Sequence, residues 1–530
     1  MSLLSPTPRQ IDKKKIKDLE IMLSNEKNRY RNALEKHGIE KILWQAERKH
    51  FLDNERMYQK AIADLEQLVQ IKDAFIEELG KENEKLRDEN NLLKGQKQKN
   101  SSNSGKPPST DGFNKPTVSS TRVKSGRKPG GVVGHTGHTL WPVVEEGCIT
   151  ELKEGVCSCC GGEIEFTDVY QTRKLVDIKI VLEKTEERAY EGRCKSCNSP
   201  FRAEFTERYK APVQYGENIL AFVSLLNGYG NVPDKKTAEI ISDICGREIT
   251  MSAGTVYNIR KRLAEHLGPT VEMIKQKLMD SGVLGVDETG VRVNGSLNWI
   301  HIFANNEYTL FEHSAKRGSH CKDENGILAF FVGILLHDHF KPYYKTRAMT
   351  HAECNQHILR YLKAILTIQG HSWAKDMGDF LLEAKKRKEE AVLLGRSGFS
   401  PEEYAGLEQR YVDILDLGDK EYGEAVKDKK HIRFFNDERL LLKRLREYKD
   451  EHLRFLQIFD VPFGNNISEQ GAAAVKRKTK SAGGFRSDKG AEYHMTIAST
   501  VVSSKKQKKS VYEVFKKAFA GKDPFSPDTS

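Results

Sequence analysis

The chain changes its hydrophobic rhythm several times, and each rhythm predicts a different kind of element. Residues 13–99 are rich in Lys and Glu, lack Pro and hold little Gly. In their second half Ile62, Val69, Ile76, Asn83 and Asn90 fall on heptad position a, and Leu65, Lys72, Leu79, Leu86 and Leu93 on d. An apolar a/d seam on a charged helix predicts a coiled coil or a long helical hairpin, and Asn at a favours a two-stranded register. The competing reading is a long solvated helix. Residues 100–139 then hold hardly any large apolar side chains. Nothing there offsets the entropy of ordering, which predicts a flexible basic linker.

Further on, GENILAFVSLLNGYG, TAEIISDICG and SAGTVYNIRKRLAEHL predict three short helices within residues 213–267, the last opened by a Ser N-cap. Strand signals start at VLGVD, residues 283–287. TGVRV and SLNWIHIFA are joined by Asn294-Gly295, the strongest short hairpin signal. YTLFEHS predicts a third strand, residues 322–331 a helix, and Gly333–His337 a further strand. Residues 351–458 read as almost wholly helical, and another helix starts near Ile467.

Composition narrows the function classes. At 530 residues the chain is long enough for several domains. A net charge of +11 favours a polyanionic partner, most often nucleic acid. No apolar run follows MSLLSPTPRQ, and GILAFFVGILL is too short for a bilayer. The expectation is a cytoplasmic, nucleoid-associated protein with no membrane partner. Nine cysteines without an export signal favour thiols or metal ligands over disulfides.

Four of those cysteines form two C-x-x-C pairs, Cys157 with Cys160 and Cys194 with Cys197. Two such knuckles supply four thiolates for a closed, structural Zn²⁺. The stretch between them alternates like strands, so a zinc ribbon is expected. The competing reading is buried or incidental thiols. Among the bases, Tyr257, Arg260, Lys261 and Arg262 lie on the last of the three short helices and fit a helix-turn-helix, although such units also serve as plain packing domains. In SGRKPGG, Arg127 and Lys128 resemble a minor-groove arm, or simply belong to the linker.

The acids are more specific. Asp287 closes one apolar strand and Asp338 another. A buried acid at a strand end is costly unless it binds a cation or caps a loop. Two such acids can share Mg²⁺ or Mn²⁺, which take oxygen ligands, and paired cations serve phosphodiester chemistry. A hairpin, a third strand, a helix and a strand tipped by an acid is the order of a ribonuclease-H-like domain. Glu469 is the candidate third carboxylate. Its rival role is a capping box with Asn466 as N-cap. Lys476, Arg477 and Lys478 follow it, a basic tract suited to DNA phosphates or simply a solvated face.

Together these residues resemble the transposases of the bacterial insertion-sequence-66 type. The resemblance runs through NSSNSGKPPSTDG with GRKPGGVVGHTGHTL, CSCCGG with CKSC, DETGVRVNGSLNWIHIF, HDHFKPYY and NNISEQGAAAVKRK. It implies a DDE triad of Asp287, Asp338 and Glu469. Two features depart from the family pattern: Gln470 stands where an Arg usually follows the Glu, and ECNQHILRYL keeps Cys354 and His357 without the usual Trp. The implied activity is cutting of element ends and joining of their 3′-hydroxyls to target DNA. Double-stranded DNA, self-association and companion proteins of the element are the implied partners. Two other readings stay open: a non-catalytic zinc and helix-turn-helix DNA-binding regulator, and a metal-dependent nuclease without strand transfer.

The expected architecture is multidomain α+β. It comprises a coiled coil or long helical region (1–99), a linker (100–142), a zinc-binding ribbon (143–210), and a helical DNA-binding unit (211–275). A ribonuclease-H-like catalytic domain (276–500) with a helical insertion at about 351–458 and a basic tail (501–530) complete it.

Overall fold

The computed structural model describes residues 8–36, 41–99, 142–212, 214–346, 350–427 and 432–527. The expected linker, with Arg127 and Lys128, lies outside the described residues. The fold mixes helices with a five-stranded sheet, and the chain divides into two compact units.

One unit holds α1 (Pro8–Lys36) and α2 (Lys41–Gln98), together with Lys363–Lys375 and Leu415–Lys443. The two helices pack as a hairpin. Tyr30 stacks on Phe51 at 4.7 Å, and Lys27 pairs with Glu55. The distal part of α2 leaves Ile76, Leu79, Leu86 and Leu93 exposed, so the hairpin does not bury the heptad seam there. Near its end, Gly95 lies close to Ile368 and Phe434.

The other unit is built on the strands β3 (Val283–Val293), β4 (Ser296–Ala304), β5 (Thr309–Ser314), β6 (Ile334–His337) and β7 (Thr350–Glu353). Their order is β5-β4-β3-β6-β7. The first three form an antiparallel meander, and β6 and β7 add in parallel to β3. The β3–β4 turn is the expected one: Asn294 and Gly295 both have positive φ, at 48° and 77°, as a type I′ turn requires. One expectation changes. β3 does not end at Asp287 but continues to Val293, because the hairpin pairing with β4 runs through Asp287.

Helix α13 (Asn466–Ala482) crosses β3 and β4. Its Gly471 sits so close to the sheet that a Cβ would meet Ile302 at 3.0 Å and Phe311 at 3.1 Å. The small residues of QGAAAV therefore let this helix lie against the strands. Before the sheet, α3 (Glu217–Ser224), α4 (Asp234–Ile244) and α5 (Ala253–His266) form the three expected helices. Their core is shared with α14 (Asp488–Lys506) and α15 (Val511–Phe519) through Leu220, Ile241, Val256 and Leu263 against Ile497, Val514 and Phe515. The expected basic tail (501–530) thus contains a partly buried helix. VYEVFKKAF places Val511, Val514, Phe515, Ala518 and Phe519 on one apolar stripe.

The region between the cysteine pairs also differs from expectation. The one strand pair here, β1 (Glu191–Arg193) with β2 (Pro200–Arg202), flanks the second cysteine pair, and Leu175, Ile178 and Val181 of the alternating stretch between the pairs are exposed. An alternating pattern needs a partner surface to become a half-buried strand, and the described residues supply none there.

Candidate functional site

The sheet register brings two acids level with one another. In the β3–β6 pairing Gly285 lies opposite Leu336. Asp287 and Asp338 are each two residues further on, the first still in β3 and the second just past the end of β6, and the two carboxylates are near enough for the Asp338 charge to act on Asp287. Residues two apart share a face of a strand. Gly285 faces the start of α13, since a Cβ on it would lie 2.6 Å from Asn465 Oδ1. Asp287 therefore points to the face on which α13 carries Glu469.

Asn465 fastens this arrangement. Its side-chain amide donates to Val286 O at 2.7 Å, next to Asp287. Its backbone N–H donates to Cys354 Sγ at 3.1 Å. Cys354 N in turn donates to His337 O at 2.8 Å, next to Asp338. One asparagine and one buried cysteine thus tie the bearers of all three acids together. The sequence reading passed over Asn465. Its signal was the Asn-Asn doublet at the start of α13, which was assigned to capping instead.

The capping box does not form. Asn465 is the N-cap residue and makes no side-chain capping bond: its Nδ2 donates to β3, and its buried Oδ1 has no hydrogen-bond partner among the described residues. Glu469 is free to face the site. Its Oε1 lies 3.8 Å from His357 Nδ1 and 3.9 Å from Cys354 Sγ, and its Oε2 lies 3.9 Å from Arg360 Nη2.

Electrostatics mark the same place. Burial, reinforced by the Asp338, Glu288 and Glu469 carboxylates, pushes the Asp287 carboxyl up to about 8. A carboxylate crowded by others ionises readily only when a cation joins it. Asp338 Oδ1 accepts from Phe340 N at 3.2 Å, in a turn where His339 takes a φ of 72°. Glu288 is a second acid the sequence reading missed. It accepts from Tyr343 Oη at 2.7 Å and Arg317 Nε at 2.8 Å. Alternation along β3 sends it to the face opposite Asp287, where those partners hold it.

The three acids of the expected triad face one another without converging as a ligand cluster. Among the described residues, the one set of three ligand atoms lying within 4.8 Å of one another is that of Cys354, His357 and Glu469. Behind Asp338 sits a buried ion cluster: Glu353, at the end of β7, pairs with Arg444 and His339 and accepts from Tyr344 Oη.

The expected DNA-contacting bases separate into two groups. Arg260 is turned inward, a correction to its expected role. Its guanidinium donates to Asp234 Oδ1 at 2.7 Å and Asn227 Oδ1 at 3.0 Å, locking α5 to α4 and the turn before it. Lys478 is half-buried, and burial together with nearby Arg260 lowers its pKa. Lys261, Arg262 and Arg477 are exposed, and Lys476 is half-buried.

The cysteines form two matching turns. Cys157 N donates to Gly162 O and Gly161 N to Cys157 O, both at 2.9 Å. Cys194 N donates to Ser199 O at 2.9 Å and Asn198 N to Cys194 O at 2.8 Å. Hydrogen bonds from Ser199 bring the Cys197 thiol down to about 7. The two pairs are not gathered into one four-sulfur cluster. The thiols fit Zn²⁺ chemically, because each turn aims backbone N–H groups at its sulfurs.

Comparison with known families adds two matches. The family model described as Transposase IS66 family matches residues 212–493, which span the three helices, the sheet and α13. A second, Family of unknown function (DUF6444), matches residues 53–140. No curated protein matches the chain. No helix of the described residues is long and apolar enough to cross a membrane.

Proposed function

Because the chain belongs to the Transposase IS66 family, we propose that it cuts the ends of a mobile DNA element and joins the freed 3′-hydroxyls to target DNA, with Asp287, Asp338 and Glu469 as catalytic acids. The observation that supports this reading is the β3–β6 register, in which Gly285 and Leu336 pair two residues before Asp287 and Asp338, with Gly285 facing the start of the helix that carries Glu469. The β5-β4-β3-β6-β7 order, antiparallel then parallel, supports a ribonuclease-H-like domain.

The carboxylate oxygens suit Mg²⁺ or Mn²⁺. Bound there, a cation pair would activate an attacking hydroxyl and neutralise a leaving oxygen. The chain's own contribution is positional. β3 would hold Asp287, the turn after β6 would hold Asp338, and α13 would supply Glu469. Lys476 lies seven residues beyond Glu469, two turns along the same helix face. With Arg477 it would hold the DNA backbone beside the acids. Lys261 and Arg262 would contact DNA on α5. Cys157, Cys160, Cys194 and Cys197 would share a structural Zn²⁺ once a metal draws the two turns together. The exposed seam of α2 would pair two copies, as cutting two element ends in one complex requires. The site of action would be the bacterial cytoplasm, at the nucleoid.

The test uses the full chain, Mg²⁺, a DNA fragment carrying the repeats that flank the reading frame, and a target plasmid. Nicking at the element's 3′ ends followed by joining is expected. Asp287→Asn and Asp338→Asn should each lower both steps by about three orders of magnitude or more while DNA binding persists. Cleavage without joining would favour the nuclease reading. Unchanged cleavage and joining in Asp287→Asn would sink the catalytic assignment.

A further inference from the structure

We propose that Cys354 Sγ, His357 Nδ1 and Glu469 Oε1 form a second metal site, specific for a borderline-soft transition metal such as Zn²⁺, that takes Glu469 away from the hard-cation site. The competition between the sites rests on the function proposed above; the binding does not.

The geometry is close to that of a bound ion. Tetrahedral Zn²⁺ with its usual bond lengths would set sulfur and oxygen about 3.5 Å apart and nitrogen and oxygen about 3.3 Å apart. The observed separations are 3.9 Å and 3.8 Å, and the sulfur and nitrogen lie within 4.8 Å of one another, so modest side-chain shifts bring the three atoms to bonding distance. Each ligand atom is prepared for it. His357 Nδ1 is buried and has no hydrogen-bond partner. Cys354 Sγ is fully buried and accepts the Asn465 N–H at 3.1 Å, the kind of bond that supports charge on sulfur. Glu469 Oε1 faces both, while Arg360 occupies the side of Oε2. Ions reach the site from the partly open Glu469 side, and solvent water would supply the fourth ligand. On binding, the Cys354 S–H bond breaks and its proton passes to solvent, leaving a thiolate on the metal.

Selectivity follows from ligand type. Thiolate and imidazole suit Zn²⁺ or Co²⁺, whereas carboxylates alone suit Mg²⁺. One glutamate therefore lies between a soft set on the start of α8 (Asn355–Ala364) and a hard set on the sheet.

Co²⁺ reports the site directly. The metal-stripped full chain carrying Ser at Cys157, Cys160, Cys194 and Cys197 should bind one Co²⁺ with a single-thiolate charge-transfer band and tetrahedral visible bands. Adding Cys354→Ser should abolish the thiolate band. His357→Gln should weaken binding by about tenfold or more. Millimolar Mg²⁺ should not displace the ion. Absence of the band in the four-serine chain, with its circular dichroism intact, would overturn the proposal, as would a band that survives Cys354→Ser. A second measurement in the unaltered chain guards against misfolding: Cys354→Ser should bind one Co²⁺ fewer than wild type, and equal stoichiometry also overturns it. In Mg²⁺-driven cleavage, Zn²⁺ should inhibit wild type at least tenfold more strongly than His357→Gln, and equal inhibition overturns the competition. Normal cleavage without the cobalt band sinks this inference alone. A cobalt band without cleavage sinks only the function on which the competition rests.

Discussion

The cysteine pairs and the carboxylates are both suited to metal, yet the fold builds them in opposite ways. Each cysteine pair is made by a local turn whose backbone hydrogen bonds span five residues, Cys157 to Gly162 and Cys194 to Ser199. Nothing in the surrounding packing brings the two turns together, and most of the stretch between them is exposed. The acids have no local motif at all. They are placed by strand register, by the close seat of Gly471, and by Asn465 reaching across 179 residues to Val286. A site made of turns depends on its ligand for assembly, whereas a site made by packing exists before its ligand arrives. The cysteine region should therefore respond mainly to metal, and the acid cluster mainly to mutations of its frame.

The largest expected effect breaks the frame without touching an acid. Asn465→Ala removes the donor to Val286 O and leaves that buried carbonyl unpaired, at a cost of about 1–3 kcal/mol in stability. It also releases the start of α13, so Glu469 loses its place relative to Asp287. A misplacement of about 1 Å can cost about a hundredfold in rate. Strand cleavage should fall by about that factor in protein that remains folded at assay temperature. Cleavage within about twofold of wild type, in a variant destabilised as expected, would show that Asn465 holds the fold but not the site.

The same contrast explains what could be read from the chain alone. The Asn294-Gly295 hairpin, β3 to β6 and the three short helices were legible because turn chemistry and periodicity are local, whereas β7 (Thr350–Glu353) lies in the run read as helical and is a strand only because β6 pairs with it. Asp287 and Asp338 were legible as acids at the ends of apolar runs, although the first run proved longer than it looked. Asn465 and Glu288 were not, and Cys354 was legible only as half of a C-x-x-H pair, not as the tie between His337 and Asn465. Their roles depend on which strand lies beside which, and only the register decides that. Arg260 misled for the same reason. A base on a helix reads as a surface base until Asp234 and Asn227 are seen to claim it.

A smaller effect probes the turn-built side. Removing metal with a strong chelator should make residues 143–210 readily cleaved by protease, with urea unfolding of the remainder shifted by less than about 0.5 kcal/mol. Cys197→Ser should reproduce that pattern at any metal concentration. Equal proteolysis with and without zinc would mean that the two cysteine turns never share an ion, and the contrast between the two sites would lose one of its sides.

The smallest effect is a pH dependence, and its sign differs between groups. Asp287 holds a proton up to about pH 8 in the fold, against an ordinary value near 4. The folded state therefore keeps a proton that the unfolded chain has lost, and stability falls as pH rises from about 4 to 8. Buried His494, beside Lys478 and Arg260, is pushed down to about 3, and buried His301, beside His320, down to about 4. Below about 6.5 the unfolded chain takes up protons that these rings refuse, so their contribution is lost as pH falls. Each group adds a slope of up to about 1.4 kcal/mol per pH unit. From pH 6.5 upward Asp287 makes stability decline with rising pH, until near pH 8 the buried Lys388 and Lys506 amines begin to oppose it, because the unfolded chain keeps protons that they have lost. Below 6.5 these two histidines, with buried His337 and His452, which are also pushed down to about 3, outweigh it and stability declines with falling pH. The metal-free chain should thus be most stable near pH 6.5, as urea unfolding between pH 5 and 8 can measure. Millimolar Mg²⁺ should flatten the alkaline limb, because a cation takes the place of the proton at Asp287, and Asp287→Asn should flatten it without metal. Survival of that limb in Asp287→Asn would assign it to another group and remove the electrostatic argument for a pre-built cation site.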